Sequence, residues 1–268
     1  EPLEQLVRIV GRARGVELVH LQWAPLPLLD RLCLEGLQRL APVVLTVHDT
    51  LPYNGAEPWL MAAGMRRLGR SGDAVVCHTD QGRRRLLRQG VASHRLFVVP
   101  HGLLGARLDA EPASGTRLRL LLLGKIKPYK GVDVLLEALS RLSPEVRSRL
   151  EVEIAGKPYL DAESLIRRAA ALGLQDTVRF ELGFLPDEAM TAKLAQAHVV
   201  VFPYRDIEAS GVFMQAVAAG QPVVASRIGV FAEWLEHGRQ ALLVPPGEPA
   251  ALAAALQRLV RSPQLLDG

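Results

Sequence analysis

Short runs rich in valine and leucine alternate with helix-forming stretches along the whole of this 268-residue chain. In runs such as "RLRLLLLG" at 117–124, apolar residues occupy successive positions instead of every second one. A strand that is apolar on both faces is typical of a parallel sheet covered by helices on both sides. The alternation therefore predicts an α/β fold built on doubly wound parallel sheets, whose ligands bind at the carboxyl ends of the strands.

The strand-like runs fall into two groups on either side of a polar segment. They lie at 16–23, 41–49, 73–79 and 95–102 before it, and at 117–124, 150–156, 177–183, 197–204, 221–226 and 241–247 after it. The segment itself, "GARLDAEPASGT" at 105–116, has the composition of a linker. We therefore predict two doubly wound, Rossmann-like domains that face a cleft, at 1–105 and 117–268, with a linker at 106–116.

The first group of strands follows a helical stretch, "LEQLVRIVGRAR". A doubly wound domain usually opens with a strand and a glycine-rich turn instead. We therefore expect the first domain to be incomplete at its start, as in a fragment of a longer protein.

Composition narrows the class of protein. The chain is 49% hydrophobic and 22% charged, as in soluble globular proteins, and its apolar runs are far shorter than the ~18 residues of a membrane span. Cys33 and Cys77, the two cysteines, lie in apolar stretches and predict buried thiols in a reducing, cytoplasmic compartment. A net charge of +4 suits a protein that handles anions but does not imply nucleic acid.

The turn "GKIKPYKG" at 124–131 concentrates a rare residue. The chain has only five lysines among its 32 basic residues, and three of them, Lys125, Lys127 and Lys130, lie here. Gly124 ends a strand and Gly131 starts a helix, whose free N–H groups attract an anion. We expect exposed loop cations that hold a diphosphate together with the backbone; the alternative is a solvated basic loop.

The same segment, extended to "LLLLGKIKPYKGVDVLLEAL", resembles the donor-phosphate turn of retaining GT-B glycosyltransferases (glycosyltransferase family 4, group 1 type). "AVAAGQPVVAS", within 207–235, resembles a later segment of that family, and "VHLQW" and "VVLTVHDTLPY" are similar to its first domain. The resemblance covers nearly the whole chain. It implies the GT-B fold and assigns Gly124, Lys125 and Lys130 to the donor-phosphate site.

The pattern of the stretch "DIEASGVFMQAVAAG" at 206–220 predicts a loop followed by a helix. Ser210 and Gly211 lie near the helix start, where free N–H groups would hold a second phosphate oxygen or the sugar. The resemblance implies two donor-binding glutamates eight residues apart, but this chain has Ile207 and Gln215 at those positions. We expect Gln215 to bind the ribose as a neutral partner and Glu208 to take the first role; the alternative is that Glu208 is a solvated loop carboxylate.

Histidines mark the first domain. His48 in "TVHDT" ends a strand, in a place similar to that of the family's first-domain histidine near the sugar, and we predict a catalytic role for it. His20 in "VHLQW" is expected on the acceptor side, His101 in a structural role, and His78 has no motif around it.

Two hypotheses account for the arginine-rich stretches at 65–70 and 82–88. They form a solvated face, or they attach the protein to the anionic inner surface of a membrane.

The resemblance implies a retaining hexosyltransferase that moves a sugar from a nucleotide-sugar donor to a glycan or lipid-linked acceptor, as in polysaccharide biosynthesis. It implies no metal and no cofactor, because lysines and helix N-termini neutralise the leaving diphosphate. Two alternatives stay open: a nucleotide-sugar epimerase on the same fold, and a non-catalytic sugar-nucleotide-binding subunit.

Overall fold

The computed structural model describes residues 15–22, 27–50, 70–108 and 117–266. By its internal contacts the chain divides into two compact units, Glu1–His101 and Gly102–Gly268. The predicted opening helix at 3–14 and most of the arginine-rich stretch at 65–70 lie outside the described residues. In the part of the chain that is described, no helix is both long enough and apolar enough to cross a membrane.

The first unit contains a four-stranded parallel sheet in the order β1-β2-β3-β4. Its strands are β1 Val19–Leu21, β2 Val43–Thr46, β3 Ala74–Cys77 and β4 Leu96–Val98, and its helices are α1 Pro27–Gln38 and α2 Asp80–Arg88. Cys77 is buried in the core as predicted, whereas Cys33 is partly exposed. Because the strands are parallel, the segments that follow them meet at one edge of the sheet.

The second unit contains a six-stranded parallel sheet in the order β10-β9-β8-β5-β6-β7. Its strands are β5 Leu118–Leu123, β6 Leu150–Gly156, β7 Val178–Leu182, β8 Val199–Phe202, β9 Val223–Ser226 and β10 Ala241–Val244. Its helices are α3 Val132–Ser140, α4 Pro144–Ser148, α5 Ala162–Ala171, α6 Asp187–Gln196, α7 Gly211–Ala218, α8 Gly229–Trp234 and α9 Pro249–Arg261. The strand order reverses between β5 and β8, so the carboxyl edge there is the expected place for a ligand.

Strand β5 shows why the sequence lacks alternation. Leu120 and Leu122 pack into one hydrophobic cluster, with α3 and α9, while Leu121 and Leu123 pack into a second cluster with α7 and α8. All four leucines are at most 2% exposed. Helices therefore cover both faces of this sheet, as the sequence predicted.

Gly131 brings the lysine turn close to the end of β8. Its φ is +66°, a left-handed conformation that strongly favours glycine, and it caps the start of α3. A Cβ atom here would lie 2.0 Å from the carbonyl oxygen of Pro203. The turn after β5 can therefore approach the backbone after β8 only because this residue has no side chain.

We expect Gly131→Ala to destabilise the protein more than Gly173→Ala. Both glycines have φ +66°, but a Cβ atom at Gly173 meets nothing within 4 Å. The left-handed conformation costs each variant about 1–2 kcal/mol, and steric overlap adds roughly 1–3 kcal/mol at Gly131 only. At about 2–4 °C per kcal/mol, thermal unfolding should place Gly131→Ala several degrees below Gly173→Ala. Equal midpoints would mean that the contact with Pro203 relaxes freely.

Candidate functional site

A cavity of about 640 Å³ opens at the carboxyl edge of the second sheet. This volume is within the range of small-molecule sites, about 300–1,000 Å³. The loops that follow β5, β6, β7 and β8 line it, together with the start of α7. Five predicted donor-binding residues are in its wall: Gly124, Lys125, Lys130, Ser210 and Gly211.

Four of the chain's five lysines line this one cavity. Lys157, after β6, joins the three from the turn, Lys125, Lys127 and Lys130, and Asp187 adds a carboxylate to the lining. The fifth, Lys193, instead binds Glu153 and Glu181, each at 2.7 Å. The cavity wall is therefore rich in cations, as an anion site requires.

Lys130 corrects an expectation from the sequence. It is not an exposed loop cation, since only 4% of the residue is exposed. Its ammonium donates to the carbonyl oxygen of Leu123 at 3.0 Å and lies 5.1 Å from the ring centroid of Tyr204. Burial, and then the positive charges of Lys127 and Lys125, lower the pKa of Lys130 to about 7. An anion in the cavity would favour the charged form of this lysine.

The start of α7 lies in the wall of the same cavity. Ser210 caps the helix, because its hydroxyl oxygen accepts a hydrogen bond from the backbone N–H of Phe213 at 3.3 Å. Gly211 and Val212, the first two residues of the helix, both line the cavity. The N–H groups of a first helical turn carry partial positive charge and favour an anion. Lysines and a helix N-terminus therefore share one site.

Glu208 and Gln215, the residues expected to take the roles of the glutamate pair, are placed differently. Glu208 is 2% exposed, so the alternative of a solvated carboxylate is wrong. It lies between Ile207 and Ala209, which both line the cavity. Gln215 is half-buried, and its amide oxygen is buried without a hydrogen-bond partner among the described residues. Gln215 is not in the cavity wall that those residues form, so its role stays a prediction.

An ion pair that sequence reasoning missed links the loop after β8 to the start of α3. Arg205, after β8, donates to both carboxylate oxygens of Asp133 at 2.8 and 2.5 Å. Its backbone N–H also donates to the carbonyl oxygen of Tyr129 at 2.7 Å. Burial raises the pKa of Asp133, but the hydrogen bonds and charge of Arg205 outweigh it, and the pKa is lowered. The loop after β8 is thus fixed to the lysine turn.

The remaining wall is aromatic and apolar. Tyr159 is 50% exposed, and the ammonium groups of Lys127 and Lys157 each lie 5.6 Å from its ring centroid. Phe184, 81% exposed, lines the cavity beside Leu185. Sequence reasoning missed Lys157, Tyr159 and Phe184, although each follows a predicted strand by only a few positions. The cavity therefore combines cations with flat apolar surface.

The first unit gathers three imidazole rings at its own carboxyl edge. His48, after β2, has Nδ1 2.9 Å from Nε2 of His78, and its Nε2 is 3.2 Å from the amide oxygen of Gln22. Nδ1 of His78 lies 2.9 Å from the carbonyl oxygen of Val99. The ring of His101 is centred 5.0 Å from that of His78 and 6.2 Å from that of His48. His78, which no motif marks, is thus the direct neighbour of the predicted catalytic histidine.

Burial is the main cause of a low pKa at His48. It lowers the pKa to about 4, with further lowering by His78 and His101.

His20 lies on the same edge, with Nε2 2.7 Å from the hydroxyl oxygen of Thr46. Within the described ranges, no three histidine, cysteine or acidic side chains are arranged to hold a metal ion.

Two family models together match most of the chain. The model described as "Glycosyl transferases group 1" matches residues 117–262, and the one described as "Glycosyl transferase 4-like domain" matches residues 2–102. The first covers more than half of the chain by itself and includes the whole cavity wall.

Named relatives agree with these models. A D-inositol 3-phosphate glycosyltransferase of Geodermatophilus obscurus is 30% identical over 251 residues, which cover 84% of this chain and 56% of that protein. A GDP-mannose-dependent alpha-(1-6)-phosphatidylinositol monomannoside mannosyltransferase of Mycolicibacterium smegmatis is 30% identical over 217 residues, 75% of this chain and 56% of that protein. The chain thus spans a little over half the length of these curated relatives.

Solved structures show the same fold. HepE of Anabaena, crystallised with UDP-glucose, matches with a TM-score of 0.80 and 19% identity, over 99% of this chain and 76% of that one. Sucrose-phosphate synthase of Thermosynechococcus elongatus matches with a TM-score of 0.77 and 22% identity, over 98% of this chain and 70% of that one. With the two parallel sheets, these likenesses confirm the predicted GT-B fold class. The chain belongs to the group 1 family of glycosyl transferases.

Proposed function

We propose that this chain is the donor-binding and acceptor-side part of a retaining glycosyltransferase, which moves a hexose from a nucleotide sugar to a glycan or lipid-linked acceptor. The observation that carries the proposal is the meeting of four lysines and the start of α7 at one cavity. Two phosphate groups linked in series need several donors on more than one side, and this wall supplies them. Membership of the family supports the same reaction class.

The cationic side of the cavity holds the diphosphate. Lys125, which is exposed, and Lys130, which is buried, bind phosphate oxygens, together with the backbone N–H groups at the start of α7. The flat surface of Tyr159 and Phe184 takes the nucleoside. HepE binds UDP-glucose and the mycobacterial relative depends on GDP-mannose, which makes uridine and guanosine nucleotides the first donors to test.

Catalysis depends on stabilising the negative charge of the leaving diphosphate. The acceptor hydroxyl oxygen bonds to the anomeric carbon as the bond to the diphosphate oxygen breaks, and the leaving phosphate takes the hydroxyl proton. Lys125 and Lys130 stabilise the negative charge that develops on that phosphate, so no metal is needed. His48 contacts the sugar or the acceptor, and Glu208 acts near the sugar. Relatives named for inositol phosphate and phosphatidylinositol mannoside acceptors support a polyol acceptor.

Membrane attachment is the second part of the proposal. Helix α2 carries Arg83, Arg84, Arg85 and Arg88, and Arg84 and Arg88 are exposed. A cytoplasmic enzyme with a lipid-linked acceptor would place these cations on the anionic inner surface. Sedimentation with phosphatidylglycerol vesicles should fall for Arg84→Glu with Arg88→Glu; unchanged sedimentation would leave α2 a solvated face.

A non-catalytic donor-binding subunit is the second candidate, because Ile207 and Gln215 replace the expected acidic pair. A thermal-shift screen of nucleotide sugars identifies the donor for either function. Incubation of that donor with lipid or polyol acceptors then separates them, since only the transferase releases nucleoside diphosphate in step with a new glycoside. Interconversion of the sugar in the absence of any acceptor would instead indicate an epimerase.

We expect Lys125→Ala and Lys130→Met each to weaken UDP-glucose binding at least tenfold, because a charged hydrogen bond contributes about 1.5–3 kcal/mol. Titration calorimetry measures the affinity, and Arg167→Ala, an exposed cation on α5 outside the cavity wall, is the matched control. If both lysine variants bind as tightly as the parent chain, the donor lies elsewhere.

Proton uptake should accompany donor binding. With a pKa of about 7, Lys130 is mostly neutral at pH 8 in the free protein, and the diphosphate raises that pKa. Binding of UDP-glucose, whose esterified diphosphate does not titrate here, should therefore take up a proton at pH 8. The affinity should fall between pH 7 and 8.5, by up to about tenfold per pH unit. Calorimetry in buffers of different ionisation enthalpy measures the uptake, which Lys130→Met should abolish; equal uptake in both proteins contradicts the assignment.

We expect Gln215→Ala to weaken UDP-glucose binding by about 1 kcal/mol, the usual contribution of a neutral hydrogen bond. In the parent chain, the buried amide oxygen of Gln215 would accept a hydrogen bond from a ribose hydroxyl, and the alanine variant loses this bond. Gln215→Glu should bind at least as tightly as the parent chain. If the alanine variant has unchanged affinity by calorimetry, the ribose is held by other residues.

A further inference from the structure

The histidines of the first unit form a directed chain of hydrogen bonds. The chain of hydrogen bonds has three members, and each follows a strand: His48 follows β2, His78 follows β3 and the backbone of Val99 follows β4. The contacts are short, at 2.9 Å from His48 to His78 and 2.9 Å from His78 to Val99. Parallel pairing fixes the three strand ends side by side, so these distances are set by the sheet.

The carbonyl at one end of the chain sets the direction of every bond in it. A carbonyl oxygen only accepts, so Nδ1 of His78 must carry a hydrogen and donate to Val99. In neutral His78, Nε2 then has no hydrogen and accepts. Nδ1 of His48 must therefore be the donor to His78, which leaves Nε2 of His48 as an acceptor.

Both rings are neutral at physiological pH. Burial lowers the pKa of His78, and burial together with His78 and His101 lowers that of His48 to about 4. In water a neutral imidazole prefers the opposite tautomer, with its hydrogen on Nε2. The arrangement also requires Gln22 to turn its amide so that the NH₂ group, and not the oxygen found there, faces His48.

We propose that His78 is a positioning residue that fixes His48 in the Nδ1–H tautomer, so that Nε2 of His48 accepts a hydrogen bond from a hydroxyl of the sugar or polyol bound at the first unit, which takes the place of the Gln22 amide. The proposal rests on the proposed function for the presence of that ligand. The tautomer itself does not depend on the ligand: it depends on the contacts from His48 to His78 and from His78 to Val99, on the neutral state of both rings and on the turned amide of Gln22.

Nitrogen-15 spectra of the histidine-labelled 268-residue chain test the tautomer directly. Long-range proton–nitrogen correlations at pH 7 should show His48 protonated at Nδ1 and not at Nε2. His78→Ala and His78→Phe remove the acceptor, and His48 should then revert to the Nε2–H form or to a mixture. His78→Gln, whose amide oxygen can accept from His48 while its NH₂ donates to Val99, should restore the Nδ1–H form. His94→Ala changes an exposed histidine of the same unit and should leave His48 unaltered.

Three outcomes would overturn the proposal: His48 protonated at Nε2 in the parent chain, an unchanged tautomer in folded His78→Ala or His78→Phe, or no recovery in His78→Gln. His78→Phe keeps a ring in the cluster, so it decides the question if the alanine variant does not fold.

A second readout separates this proposal from the proposed function. Release of UDP from UDP-glucose should fall at least tenfold in His78→Phe and recover in His78→Gln, while the affinity for UDP-glucose stays unchanged. If the parent chain does not bind UDP-glucose, the donor assignment fails and the tautomer result still stands. If the tautomer follows His78 but UDP release does not, the positioning role in the reaction is wrong.

Discussion

Burial of β5 on both faces is the constraint on which the second unit depends. Four successive leucines, 120–123, pack alternately against helices on opposite sides of the sheet and are almost fully removed from water. Such a strand can pair only inside a sheet that is covered on both sides, and parallel pairing with β6 and β8 follows. In a parallel sheet the loops that follow the strands all begin at the carboxyl edge. The residues that follow β5, β6, β7 and β8 therefore lie around one cavity.

Lys130 is a buried cation in the wall of that cavity. Its hydrogen bond goes to the carbonyl of Leu123, not to a carboxylate, so burial of the ammonium is only partly compensated and the pKa falls. The cost is tolerated because neighbouring backbone fixes the turn: Gly131 packs against Pro203, and Arg205 binds Asp133. A bound diphosphate would supply the missing counter-charge, which makes ligand affinity and the protonation of this lysine interdependent.

In the first unit, too, neighbouring strand ends bring side chains together: His48 and His78 follow β2 and β3 and are in contact. His48 is singled out because "TVHDT" resembles a segment of the family, whereas His78, which also follows an apolar strand, has no such resemblance. Its importance lies in a 2.9 Å contact with a residue thirty positions away. Both rings are partly buried, and in the proposed arrangement the hydrogen bond between them sets which nitrogen of His48 carries the proton.

The sequence by itself determined the order of strands and helices and marked the turn 124–131, whose lysines line the cavity, because apolar runs, glycines and rare lysines are local signals. It also marked the helix start at Ser210 and Gly211. Only the tertiary structure decided that Lys130 and Glu208 are buried, that Gln215 lies outside the cavity wall of the described residues, and that Arg205 binds Asp133. Burial and long-range pairing arise from how strands and helices pack together, and no window of sequence encodes the distance between residues that meet only at a sheet's edge.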